Sequence, residues 1–185
     1  MRTIRKILAK QASKRRQSGS AAVEFAMIAL PFLMLLFGLF EIMMIFFIQT
    51  SLESAVSEES RKIKTGQANM GPGITAAQFK TGICTRMVGM VDCTNRLFVM
   101  VQNQPATGSL TSPTTDPTLL ASPPYVANTA AGSIVVVRAF YIWPLMTPGI
   151  STALKNTTLT GPSGNLGSQN RMLVATSAFR NEPFQ

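Results

Sequence analysis

Histidine is missing from this sequence, acids number 8 against 17 basic residues, and cysteine and tryptophan occur only twice and once. Without histidine there is no Ser-His-Asp or Cys-His nucleophile and no histidine-bearing zinc site. Asp92, Asp116 and Glu182 stand isolated, with no second catalytic partner at a readable spacing, so a tethered enzyme has little to rest on. No cofactor and no metal is expected. The cysteines, Cys84 and Cys93, lack the C-x-x-C spacing of a redox pair. The scarcity of acid leaves a formal charge of +9, which invites a nucleic-acid reading. The charge is not spread, however: Arg2, Arg5, Lys6, Lys10, Lys14, Arg15 and Arg16 precede the first acid, Glu24. Removing those 7 from 17 leaves 10 basic residues against 8 acids beyond Gly19, a net of +2, and no basic patch interleaved with aromatics follows. No nucleic-acid partner is expected.

What the chain does have is one long apolar run. From Gly19 to Ile48 it reads GSAAVEFAMIALPFLMLLFGLFEIMMIFFI, and from Ala21 onward its only ionisable side chains are Glu24 and Glu41. As a helix, Ala21 to Ile48 would extend about 42 Å, more than the roughly 30 Å hydrocarbon core of a bilayer. It is apolar on every side, so it requires lipid or similar helices around it. A signal peptide has a core of about 7–15 residues and a small-residue cleavage site beyond it. This run is longer and ends in FFIQTSLES, so a retained single-pass helix is expected, its basic flank cytoplasmic. The flank itself reads as a topology-setting tail, with Ile4, Ile7 and Leu8 as an alternative short amphipathic helix on lipid.

Glu24 and Glu41 are 17 residues apart, which at about 100° per residue places them on one helix face. A carboxylate in mid-bilayer costs an estimated 2.5–3.5 kcal/mol, so this stripe is expected to meet protein; a neutral or snorkelling Glu41 is the alternative. Beyond Ile48 the spacing of Leu52, Ala55, Val56, Glu59 and Ile63 continues a helix, now amphipathic, with Glu58–Lys62 as an i,i+4 pair. One helix is expected from about Ser20 to Thr65, with Gly71-Pro72-Gly73 as a firm break.

Thr75 is placed to cap a second helix reaching about Met90, its apolar face carried by Phe79, Ile83, Met87 and Met90 or Val91. With the basic flank cytoplasmic, Cys84 and Cys93 lie in an oxidising compartment and are expected to form a structural disulfide tying this helix to the next strand. Arg96–Gln102, Ser133–Trp143 and Arg171–Phe179 read as strands. In the middle one, Val135, Val137, Ala139, Tyr141 and Trp143 form an apolar face and Arg138 lies on the other. The proline-rich stretch 103–128 and residues 147–170 read as loops. The fold class is α+β: a long N-terminal helix, then a small domain with a second helix and a roughly three-stranded antiparallel sheet packing one face on the helices. The organisation is a basic leader at 1–19, a membrane helix continuing into an amphipathic one at 20–65, and an extracytoplasmic domain at 66–185.

The basic pair Arg15/Arg16, the small residues Ser20 to Ala22, the V-E-F-A at Val23–Ala26, Leu30-Pro31 and the second acid at Glu41 together resemble the TadE-like family of pilin-like proteins. These belong to tight-adherence, Flp-type branches of type IV pilus machines. The resemblance covers the first 50 residues and extends more thinly to Cys84/Cys93 and to the FRNEPF tail at Phe179–Phe184. It implies processing by a prepilin peptidase, a membrane aspartyl enzyme that cuts after glycine on the cytoplasmic side. Matched here, the cut falls between Gly19 and Ser20 and makes Glu24 the fifth residue of the product. In such proteins that acid pairs with the new terminal amine, of its own subunit or the next. Phe25 stands where major Flp pilins have tyrosine, and relatives departing from the pattern are anchored uncut.

The resemblance thus implies a minor pilin or pseudopilin needed for pilus assembly or initiation. Its partners would be the prepilin peptidase, other pilins, pilus assembly proteins and membrane lipid. The alternative is an uncleaved, membrane-anchored extracytoplasmic binding or assembly domain. Both place the chain in a bacterial inner membrane with its C-terminal domain periplasmic, and the first adds incorporation into a surface pilus.

Overall fold

The computed structural model of this chain describes residues 2–69, 73–87, 89, 91–104, 120, 122–126, 129–157 and 166–183, without the side chains of 2–18, 69 and 104. The expected lipid-facing side chains of Ile4, Ile7 and Leu8 lie outside that description, as do Gly71, Pro72, Met90, Asp116, Phe184 and most of the proline-rich loop. The chain divides into two compact units, Met1–Phe40 and Glu41–Gln185.

The first unit is helical. The helix α1 (Arg2–Lys64) takes in all of its described residues, so helix begins well before the expected Ser20. Pro31 lies inside α1 without ending it. The side chains of Phe25, Met27, Ile28, Leu30, Phe32 and Leu35 are exposed, as an apolar helix in lipid requires. Within Gly19–Lys64 there is a stretch long and apolar enough to cross a membrane.

The second unit starts with the remainder of α1. Glu41, Ile45, Ile48, Leu52, Ala55, Val56, Glu59 and Ile63 are buried, a stripe at helical spacing that begins seven residues before the apolar run ends. α1 stops at Lys64, and Gly66 (φ 77°) takes the left-handed backbone that ends helices. Thr75 then caps α2 (Ala76–Arg86) with a full capping box: its hydroxyl accepts from Gln78 N, and Gln78 Oε1 accepts from Thr75 N at 2.9 Å. Phe79 and Ile83 of α2 and the capping Met87 enter the core as the spacing implied, but the helix is shorter than expected. Cys84 is bonded to Cys93 only nine residues on. Ending α2 at Arg86 leaves residues 87–92 for the return that brings Cys93 back to Cys84. Cys93 opens a single turn, α3 (Cys93–Arg96), capped by Asp92.

The strands β1 (Leu97–Gln104), β2 (Ile134–Pro144) and β3 (Asn170–Arg180) form an antiparallel sheet in the order β1-β2-β3. β2 is central, with Val137 opposite Val101 and Ser177. Val135, Val137, Ala139 and Tyr141 face the helices and share a core with Ile48, Leu52, Phe79 and Ile83. One face thus packs on the helices as expected, and the other is covered as well: Phe140 and Ile142 join Phe98, Met100 and Leu120 in a second cluster. Leu120 comes from the proline-rich connection, which returns to pair along the outer edge of β1. There Val101 N donates to Pro124 O and Val126 N to Val101 O, both at 3.0 Å. Tyr125 fixes this return by packing tilted against Phe79 (ring centres 6.1 Å apart) and donating its hydroxyl to Ile74 O at 3.0 Å. Burial pushes the Tyr125 phenol up to about 12. One helical turn, α4 (Ser151–Leu154), lies between β2 and β3.

Candidate functional site

The sequence nominated Gly19, Ser20 and Glu24 at the head of the apolar run. All three are exposed in α1, and the space beside Gly19, where a side chain would project, is open. Ser20 and Glu24 are one turn apart, and Ser20 Oγ donates to Glu24 Oε1 at 3.2 Å. The carboxylate is therefore aimed at the residue that would become the terminus after a cut at Gly19. An ammonium on Ser20 would arise within one helical turn of it, in surroundings with few competing ligands for either charge.

Glu41 belongs to the other unit and is only 8% exposed. Its partners lie on the loop after β2: Met146 N donates to Oε1 at 2.5 Å and Thr147 N to Oε2 at 3.2 Å. The expectation that this stripe meets protein describes Glu41 well, but the protein it meets is its own chain. No pattern in the sequence points from Glu41 to residues 105 positions away, because the donors are backbone amides and carry no residue signature.

Cys84 and Cys93 form the expected disulfide, with Cα atoms 6.0 Å apart. The bond ties the last turn of α2 to α3 and so to β1. In the chain-entropy view a loop this short is worth about 2–3 kcal/mol. Asp92 caps α3 by accepting from Thr94 N at 3.1 Å and Asn95 N at 3.3 Å. Burial would raise this carboxyl, but those donors and the Arg96 charge outweigh it and hold it below its ordinary value.

Spacing alone makes Glu59, the most deeply buried acid among the described residues, one position on the buried stripe. Its side chain is 2% exposed; Arg86 Nε reaches Oε1 and Lys62 Nζ reaches Oε2, each at 2.7 Å. The base expected to pair with Glu58 is thus drawn to Glu59, the carboxylate with less water. Gly82 of α2 makes room for it: a Cβ there would stand 2.6 Å from the Glu59 carboxyl carbon. A carboxylate at a core position of an amphipathic stripe was the available signal, and only the fold supplies Arg86.

At the other end of the chain, the tail after β3 secures the end of α1. Glu182 N donates to Lys64 O at 3.0 Å, satisfying one of the helix's last carbonyls. Asn181 Nδ2 donates to Thr129 Oγ1 at 2.5 Å and Ala130 O at 3.1 Å. Among the described residues, no three of His, Cys, Asp or Glu come together as metal ligands.

Comparison with protein families matches residues 19–61 to the model for TadE-like protein. The resemblance read from the first 50 residues is borne out there. The matched segment opens at Gly19, takes in Ser20, Glu24, Glu41 and Glu59, and ends short of α2 and the sheet. No curated protein and no solved structure matches the chain.

Proposed function

From a chain whose residues 19–61 form a TadE-like region, the kind associated with tight-adherence pilus systems, we propose a minor pilin or pseudopilin that a prepilin peptidase cuts between Gly19 and Ser20. It is anchored by one apolar helix, with the leader at 1–19 cytoplasmic and the domain at 66–185 periplasmic. Its role is in assembling or initiating the pilus with other pilins. The observation that carries this reading is the Ser20–Glu24 contact at 3.2 Å, at the head of a helix otherwise exposed and apolar.

The mechanism follows from charge. Cutting removes the seven cations of the leader and leaves an ammonium on Ser20 beside Glu24. Two opposite charges at the edge of a low-dielectric layer are much better satisfied together than apart. A subunit whose amine pairs with its own Glu24, or with that of a neighbour, is held at one depth and one register.

A second reading, the uncleaved membrane-anchored domain, draws on a different observation: α1 passes through Gly19 without a break. A peptidase needs the scissile bond out of the helix. Glycine eases that opening, being about 1 kcal/mol poorer than alanine inside a helix. The first residue of the protein isolated from membranes, compared between cells with and without active prepilin peptidase, separates the two readings. Cutting predicts Ser20 as that residue, a Gly19→Trp variant that keeps its leader, and a Glu24→Ala variant that stays in the membrane without supporting assembly. An intact leader in cells with working peptidase favours the uncut anchor.

A further inference from the structure

We propose that one end of the sheet unit, formed by the loop Leu145–Ile150 with Met43, Phe46 and Phe47 of α1, is a membrane-contact surface. It rests among the lipid headgroups of the leaflet from which the anchor helix emerges. The proposal needs only the membrane anchor, and stands whether or not the leader is cut.

Glu41 sets the geometry. By accepting from Met146 N and Thr147 N it fixes the loop beside the first turn of this unit's helix. The apolar residues before that turn, Ala21–Phe40, extend about 30 Å as a helix, one hydrocarbon core. A span that fills the core from Ala21 therefore leaves it near Glu41, at the level of the loop. The sequence had counted 28 residues because residues 41–48 are just as apolar. The structure gives that excess another purpose, burying Glu41, Ile45 and Ile48 against the sheet and leaving Met43, Phe46 and Phe47 outward.

The surface left there is one water does not favour. Five large hydrophobic side chains are exposed among the described residues of this unit, and four lie here: Met146 (75%), Phe46 (66%), Met43 (56%) and Phe47 (50%). The fifth, Val126, pairs with the middle of β1. No charged residue occurs from Ala139 through Leu154. Cations follow at the margin: Lys155 is exposed, and Arg171 donates to Leu154 O at 2.8 Å. An apolar tip bordered by cations and joined to a lipid-spanning helix suits the boundary between acyl chains and anionic headgroups. A second protein copy would have to occupy the same layer as the lipid already bordering the helix.

Quenching in full-length protein reconstituted into phosphatidylcholine–phosphatidylglycerol vesicles tests this. The native tryptophan is removed by Trp143→Phe, and an indole is placed at the surface by Met146→Trp or away from it by Val126→Trp. Phosphatidylcholine brominated high on its acyl chains should quench the Met146→Trp indole about twofold or more, and lipid brominated near the chain ends less, as for an interfacial site. Acrylamide should quench the Val126→Trp indole and spare the other. The unmodified chain, with Trp143 three residues from Met146, should show the same order of lipid quenching more weakly, which guards against a misfolded variant. If acrylamide reaches both indoles alike and bromolipid reaches neither, the surface faces water and the proposal falls. If the Met146→Trp indole is shielded from both quenchers, protein covers it, and the proposal falls equally.

Discussion

A carboxylate inside an apolar helix is costly until something donates to it. Two such acids on α1 find different donors. Among the described residues Glu24 accepts from the Ser20 hydroxyl, a weak and exchangeable partner at 3.2 Å, and so retains capacity for an ammonium. Glu41 has both oxygens taken by the amides of Met146 and Thr147 and is buried with them. That difference is in keeping with the proposed pairing of Glu24 with a new terminal amine, whereas Glu41 holds the loop after β2 on its own helix. Glu41→Gln keeps the shape but turns an NH2 group towards one of those N–H donors, leaving it unsatisfied. A buried donor without a partner costs about 1–3 kcal/mol. The variant should unfold at lower urea than the parent in detergent micelles, with unchanged slope, followed by Trp143 fluorescence. An unchanged midpoint would mean that the Glu41 contact contributes nothing to the fold. The sequence could place Glu41 on a protein-facing stripe because 3.6-residue periodicity is written in side chains. It could not name the donors, since backbone amides look alike at every position.

Among the elements, the best-defined joint is that between α1 and α2, where Gly82 lets the helices approach and Glu59 fills the gap with Arg86 and Lys62 upon it. Gly82→Ala tests it through two opposed effects. Alanine improves an α2 interior position by about 1 kcal/mol. Its methyl would also stand 2.6 Å from a carboxyl carbon that two ion pairs hold in place. Overpacking of this kind costs about 1–3 kcal/mol, and the carboxylate can yield only by loosening those pairs, so net destabilisation is expected. A Gly82→Ala melt above the parent's would refute the close approach. Helices and strands were largely legible here: the Thr75 cap, the apolar faces of α2 and β2 and the three strands all follow from local pattern. The second face of the sheet was not, because Leu120 reaches it from a proline-rich stretch with no period to read. The early end of α2 was hidden for a related reason, since a disulfide restricts the path of the chain without altering the helical propensity of residues 87–90.

For the whole molecule, a span ending near Phe40, as proposed above, bears on which side of the membrane the sheet unit occupies. Orientation follows the basic residues within about 15–20 positions of each end of a spanning helix. With the span ending near Phe40, seven cations flank it on the N-terminal side, whereas residues 41–60 contain none, the next being Arg61 and Lys62. Such a bias strongly favours a cytoplasmic N-terminus and a periplasmic sheet unit. The chain carries its own reporter of the result, because a disulfide persists in the periplasm and is reduced in the cytosol. Cys84 and Cys93, bonded in the fold, are its only cysteines. Protein from cells quenched with acid should therefore show no thiol reactive to maleimide until a reductant is added. Replacing the seven cations by glutamine, and Thr50 and Ser57 by lysine, should invert part of the population, and that fraction should present both thiols without reductant. Helix burial offers no route to this outcome, since the same side chains cover Cys93 in either orientation. Only the compartment differs, so free thiols in the unmodified protein would mean that the sheet unit faces the cytosol.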